Sequence, residues 1–365
     1  MESGLNCGGH AFATEGHLLG PILREFQEKR QEFDALFEPF IQSYCEKKNW
    51  LYQARDPQDR IRLTVQGGIG NAAEVARLVE SFGFDATGWA SPFLLVPEAT
   101  ALDDATREKL ERAGEKELVL SDASPMGVAF NNLRDSSSEL WSEKRIAEGT
   151  PGSPCPNGHV CFNSEFDGKP LCLGSRQYMK KKLESLGYEQ APARAEANEE
   201  IQAIYNKRCI CSHLGNGALI ALGIAHRNDL PVAICPGPNL AYFDKSYRLE
   251  EMVDHIYGRG ESLVPQDRPH MFAKELVLYM DHLEKQIDKH LQLDEAIPKS
   301  LEVFRQNLEK GIEFYQELAT SKVYPGENIK SLETICLLQR KRLSQLFASQ
   351  SAAARRPAEV TQFSV

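Results

Sequence analysis

Apolar positions in the first third of the chain switch repeatedly between two periods. Leu18, Leu19, Ile22, Leu23 and Phe26 recur at helical spacing, and residues 33–48 continue as a second helical stretch. Residues 60–66 follow as a short run rich in Ile, Leu and Val, the signature of a buried strand. Asn71 is placed to cap the next helix, with Glu74 three residues on completing a capping-box pattern. Residues 84–88 form a further strand and 103–113 a further helix. Strands alternating with helices predict an α/β fold, with a parallel sheet and helices outside it.

The pattern then changes. Asp135-Ser136-Ser137-Ser138 and Gly149-Thr150-Pro151-Gly152-Ser153-Pro154 are breakers with little apolar content. Residues 155–186 read as a cysteine-bearing hairpin and a basic helix, 190–200 as an exposed charged stretch, and 207–243 as another compact block. From 249 to about 347 the pattern is mostly helical, over 249–257, 271–290, 297–318 and 329–347. In the long helices, Leu276, Leu283, Ile287, Leu301, Phe304, Leu308, Ile312 and Leu318 form buried or partner-facing stripes. These shifts divide the chain into 1–135, a cysteine-containing α/β region at 136–248, a helical region at 249–348 and a disordered tail at 349–365.

Composition narrows the function class. A formal net charge of −10 argues against nucleic-acid binding, which calls for a basic stripe. No apolar run approaches the ~18 residues of a membrane span, and the N-terminus has no basic-then-apolar signal pattern. Nine cysteines without small-scaffold spacing read as reduced thiols in a cytoplasmic protein.

Candidate chemistry sits at the strand ends. Gly67-Gly68-Ile69-Gly70 follows one strand and opens a helix, so its glycines suit close backbone approach to a ligand, with helix amides facing it. The bland alternative is a tight strand-to-helix turn. Gly88-Trp89-Ala90-Ser91 ends the next strand, and two adjacent barrel strands ending in glycine turns form the usual barrel phosphate site. Cys7-Gly8-Gly9-His10 puts an imidazole just past a third strand end, where it is either a general base or a loop-bonding histidine. Gly258-Arg259-Gly260 and Arg268-Pro269-His270 are loop punctuation or, less simply, anion contacts.

The run 4–16, the Val65–Gly70 segment, Thr87-Gly88-Trp89-Ala90-Ser91-Pro92-Phe93, Leu118-Val119-Leu120-Ser121 and Ser124–Arg134 together resemble the C-terminal half of the nitronate monooxygenase (2-nitropropane dioxygenase) family. The resemblance covers residues 1–135 and implies the last βα units of a (β/α)8 barrel, hence a partial barrel followed by a mixed, mainly helical C-terminal region. It implies FMN as cofactor, with Gly8, Gly9, Gly67, Gly68, Gly88, Trp89 and Ser91 around it and His10 as catalytic base near the flavin. The implied activity is an FMN-dependent oxidoreductase acting on a small-molecule nitro or carbonyl substrate. Trp89 stands where the family has a small hydroxyl residue and Pro92 where it has a polar or basic one. The family's earlier strands have no counterpart before Met1, so a second copy of the chain or a separate N-terminal barrel half becomes the expected partner. The alternatives are an inactive barrel fragment serving as a binding or assembly module, and an iron–sulfur electron-transfer module attached to a flavin barrel.

The second cluster is Cys155, Cys161, Cys172, Cys209, Cys211 and Cys235. Asp167-Gly168 is a two-residue hairpin signal; in that register Asn163 faces Cys172, putting Cys161 and Cys172 on one face. Cys209 and Cys211 share a face if their segment is extended. The expected metal ligands are therefore Cys161, Cys172, Cys209 and Cys211, around zinc or an iron–sulfur cluster. The cluster is favoured because Cys155 and Cys235 precede proline; buried, purely packing thiols are the alternative.

Overall fold

A computed structural model describes residues 1–2, 4–6, 9–10, 15–53, 61–155, 157–225, 230–292 and 297–353. The fold is mixed α/β and mainly helical, with two small sheets among the described residues. The chain forms two compact units: Met1–Ala11, Leu63–Val79 and Asp85–Arg268 make the first, and Phe12–Arg62, Glu80–Phe84 and Pro269–Val365 the second. The units therefore interleave along the chain, whereas the linear pattern suggested divisions at 135 and 248.

In the first unit, strand β1 (Gly9–His10) belongs to one sheet, and β2 (Thr64–Gln66) and β3 (Ala86–Gly88) to another. β2 and β3 run parallel, with Val65 opposite Thr87 and Gln66 opposite Gly88. Val65 is fully buried, and the Leu63 N–H donates to Asp85 Oδ2 at 2.6 Å, fixing the pair at its start. β4 (Leu118–Ser121) and β5 (Ala129–Leu133) differ from the all-parallel expectation: they form an antiparallel hairpin, and β1 adds to β5 antiparallel. The short connection explains this. A parallel return needs a crossover of a dozen or more residues, whereas a turn through Gly127 at φ +79° reverses the chain directly.

Helix starts follow local capping chemistry. Asp103, Ser136, Ser175 and Asn198 each accept a backbone N–H in the first turn of the helix they precede. Asn71 does the same for Glu74, as its position suggested. One core gathers Leu95, Leu110, Leu118, Leu133, Leu240 and Phe243, and another gathers Ile146, Met179, Leu183, Ile201 and Tyr205.

Two sequence expectations are corrected here. Cys209 and Cys211 are not extended: Ile210–Ala221 is a helix that begins just after Cys209. The Gly215-Asn216-Gly217 run lies inside that helix. A Cβ on Gly217 would stand 2.8 Å from Leu102 Cδ1, so this glycine serves close packing. In the cysteine hairpin, Asn163 pairs with Leu171 rather than Cys172. Glu165 is held by Tyr178 (2.9 Å) and Lys182 (2.7 Å) on the following helix, and these contacts fix the loop. A one-residue slip reverses the faces, so strand register no longer pairs Cys161 with Cys172.

The second unit is built from helices Leu19–Glu28, Arg30–Lys48, Met271–Gln292, Lys299–Ala319 and Ile329–Ala353. Of the expected stripe, Leu276, Leu283, Ile287, Phe304, Leu308, Ile312 and Leu318 are buried, while Leu301 is half-buried. The last helix carries residues 349–353 of the expected tail; 354–365 lie outside the described residues. The N-terminus of the Leu19–Glu28 helix enters the core without a local cap. The Glu275 carboxylate instead accepts the Leu19 N–H (3.1 Å), and Tyr315 Oη accepts the Gly20 N–H (3.1 Å) while donating to Glu275 (2.6 Å). Tyr315→Phe removes the hydroxyl from this fully buried network, with an expected loss of about 2 kcal/mol from the stranded N–H and the missing carboxylate bond. Equilibrium urea unfolding measures it; a stability unchanged within error would show that the hydroxyl is dispensable.

Candidate functional site

The C-terminal ends of β2 and β3 open into a shallow depression whose water-accessible space is about 20 Å³. It is lined by Leu5, Asn6, Gly67, Gly68, Ile69, Gly88, Trp89, Ala90, Ser91, Pro92 and Asn239. Five of the residues expected around a cofactor phosphate, Gly67, Gly68, Gly88, Trp89 and Ser91, are thus brought to one place. Of the others, Gly8 lies outside the described residues. Gly9 and His10 are described only as backbone, in β1 opposite Phe130 and Ala129, and the His10 side chain lies outside the description.

The glycines answer to different demands. Gly67 and Gly68 have φ of +98° and +77°, and a Cβ on Gly68 would meet Leu5 Cδ1 at 2.5 Å. A Cβ on Gly88 would meet the Gln66 side-chain oxygen at 2.7 Å. Gly70 instead makes room for an arginine: its Cβ would fall 2.1 Å from Arg268 Cζ.

That arginine belongs to the Arg268-Pro269-His270 turn, whose sequence suggested loop punctuation or an anion contact but not a buried anchor. Arg268 is 3% exposed and fixes the glycine loop from behind. Its Nη2 donates to the Gly68 carbonyl (2.6 Å), its Nη1 to Glu74 Oε1 (2.7 Å) and its Nε to Asn239 Oδ1 (2.8 Å). Asn239 Nδ2 donates in turn to the Ile69 carbonyl at 2.9 Å. Glu74 Oε2 accepts the Gly70 N–H at 2.7 Å, rather than closing the expected capping box on Asn71. Arg268 thus meets an anion of the protein itself, Glu74.

Trp89 and Ser91 also have structural partners. The indole packs edge-on against His255 (5.8 Å between centroids) and donates to Thr87 Oγ1 (3.3 Å). His255 Nδ1 accepts the Leu263 N–H at 3.1 Å; burial lowers this imidazole's pKa, with the Gly70 backbone opposing the shift. Ser91 Oγ accepts the Gly237 N–H at 2.8 Å, which leaves its hydroxyl proton as the group to offer a ligand. What the depression presents is thus a glycine-lined, preorganised backbone surface with one hydroxyl.

The cysteines form the second feature. Burial pushes the Cys172 thiol up to about 11; the Gly174 backbone opposes this, and Cys161, Cys209 and Cys211 add to the cost of ionisation. Burial also raises Cys209, against a hydrogen bond from Ser153. Cys155 moves the other way: burial opposes its ionisation, yet hydrogen bonds from the Gly158 and Asn157 backbones, Ser212 and Cys209 bring its pKa below the usual thiol value. Among the described residues, no three His, Cys, Asp or Glu side chains form a group that could hold a metal ion, so the expected Cys161, Cys172, Cys209 and Cys211 set is not brought together as a metal site. Cys235 packs instead against the Ala123, Phe130 and Ile210 cluster.

No helix among the described residues is long and apolar enough to cross a membrane. No family model matches the chain, and no curated protein matches it in sequence.

Proposed function

We propose that the depression at the ends of β2 and β3 holds the phosphate of FMN, and that the chain is part of an FMN-dependent oxidoreductase similar to the nitronate monooxygenases, its two parallel strands belonging to a (β/α)8 barrel. The carrying observation is that Gly67, Gly68, Gly88, Trp89 and Ser91 line one depression beyond two parallel strands. Barrel enzymes bind phosphate at such strand ends, using backbone N–H groups and the exclusion of side chains. The two glycines where a Cβ would collide, and an indole turned onto His255, suit that use. FMN would supply the redox chemistry, while the protein's part is to seat the phosphate and to hold a base, assigned to His10, near an acidic C–H of the substrate.

The test is FMN binding by the full chain, followed by flavin fluorescence and by flavin released on denaturation. Ser91→Asp sets a carboxylate against the phosphate while keeping an acceptor for the Gly237 N–H. It is expected to weaken FMN binding at least tenfold with an unchanged circular dichroism spectrum. Wild-type protein that leaves FMN fluorescence unchanged at saturating protein would overturn the reading, as would an unaltered affinity in Ser91→Asp. His10→Ala is expected to retain FMN and lose turnover of a nitronate substrate.

A further inference from the structure

We propose that the Arg30–Lys48 helix is the surface through which two copies of this chain associate, the two helices packing antiparallel. No side chain in its 19 residues is buried. Yet Phe33, Leu36, Phe37, Phe40, Ile41 and Tyr44 recur along it at helical spacing. With 3.6 residues per turn, these six fall within an arc of roughly 140° and form one apolar stripe. Phe40, near the middle of the helix, is 71% exposed. Beyond the helix, Asn49 takes a left-handed conformation (φ +53°) and the Trp50 N–H donates to the Cys45 carbonyl at 2.9 Å. This return sets the Trp50 ring edge-on to Tyr44, centroids 5.8 Å apart, and extends the stripe to the exposed Leu51. Helices draw most of their stability from packing such a face, and here it is left open.

The stripe is ordered and large enough to bind. Phe26, Phe33, Phe37 and Phe40 stack in sequence, with centroid separations of 5.4, 4.7 and 6.4 Å. The rings therefore hold one another, and little side-chain freedom is left to lose on docking. Covering an aromatic ring buries about 150–250 Å². With Phe37, Phe40, Tyr44 and Trp50 each 40–71% exposed, and Leu36 and Leu51 beside them, the face offers on the order of 600 Å². That is most of the ~800 Å² a stable interface takes from each partner.

Charge identifies the occupant as a second copy. The first half of the helix carries Arg30, Glu32, Asp34 and Glu38, and its end carries Glu46, Lys47 and Lys48. One half is thus net acidic and the other net basic. A parallel pair sets like charge against like, whereas an antiparallel pair sets each acidic half against the other copy's basic end. A two-fold axis at Phe40 puts that ring against its own copy, Leu36 opposite Tyr44 of the second copy and Glu32 opposite its Lys48. Glu32 is exposed, and the Lys48 ammonium lies over the Tyr44 ring at 5.8 Å, at the edge of the stripe. An anionic lipid surface is disfavoured, because the helix carries more acidic than basic side chains and the chain a net charge of −10.

The surface shares no residue with the flavin site, so the two readings fail separately. Sedimentation equilibrium of the full chain over a range of concentrations is the experiment, and a reversible dimer is the expected result. Phe40→Asp, at an exposed position, is expected to keep the circular dichroism spectrum and raise the dissociation constant roughly a hundredfold or more. Glu32→Lys should weaken the dimer a few-fold, since symmetry repeats the repulsion, and Glu32→Lys/Lys48→Glu should restore it. A wild-type chain that stays monomeric overturns the proposal; if that monomer sediments with phosphatidylcholine vesicles, the face belongs to lipid. A dimer undiminished in Phe40→Asp overturns it equally, by placing the contact elsewhere. A charge-reversed double variant no tighter than Glu32→Lys overturns the antiparallel pairing.

Discussion

Arg268→Met is expected to lower the stability of the first unit by about 3–5 kcal/mol, the cost of removing one partner from a buried ion pair. Arg268 and Glu74 have side chains 2% and 1% exposed, and their contact is 2.7 Å. Methionine matches much of the volume and can still pack against Tyr242, over whose ring the guanidinium lies at 5.5 Å, so the loss is mainly electrostatic. It removes the Arg268 guanidinium from the Glu74 carboxylate, from the Gly68 carbonyl and from Asn239 Oδ1. Denaturant unfolding followed by circular dichroism measures the change. The double variant Arg268→Met/Glu74→Met separates the causes: by removing the stranded charge it should recover part of the loss. A double variant no more stable than the single would show that the carboxylate is not the source. A single variant within 0.5 kcal/mol of wild type, a rough limit for inconsequential substitutions, would remove Arg268 as the anchor of the glycine loop.

This anchor also marks where linear reading stops. Glycine turns at successive strand ends were legible because positive φ and close approach select glycine locally, and the depression is built from those turns. Helical stripes such as Phe304, Leu308, Ile312 and Leu318 were legible because burial recurs with the helix period. The partner of Glu74 was not: it lies 194 residues away, and nothing near Arg268 distinguishes a buried anchor from loop punctuation. Direction along a sheet was equally hidden. Alternating patterns suggested parallel strands throughout, yet β4 and β5 close as a hairpin because their connection is short. For the thiols, hairpin register and an extended Cys209–Cys211 segment do not hold: Asn163 pairs with Leu171, and a helix begins at Ile210.

In the second unit, His270→Ala is expected to cost about 2–4 kcal/mol, since it removes a buried hydrogen bond to a carboxylate and a helix cap together. His270 Nδ1 accepts the Phe272 N–H at 3.1 Å, capping the Met271–Gln292 helix. That bond requires Nδ1 to be unprotonated, so Nε2 carries the proton and donates it to Glu327 Oε1 at 3.0 Å. Both side chains of the pair are fully buried. The other carboxylate oxygen accepts the Tyr324 N–H at 3.0 Å, so the pair joins the helix start to the turn before the last helix. Three variants apportion the cost. His270→Asn keeps a side-chain acceptor for the cap but cannot reach Glu327, so it should recover only the ~1 kcal/mol of a typical cap. Glu327→Gln keeps the shape but turns an N–H₂ toward either His270 Nε2 or the Tyr324 N–H, for an expected loss of about 1–3 kcal/mol. Urea midpoints of the three variants give the ranking, with His270→Ala least stable. If His270→Asn matched wild type, the cap alone would account for this histidine. A Glu327→Gln as damaging as His270→Ala would instead place the cost in the carboxylate's charge.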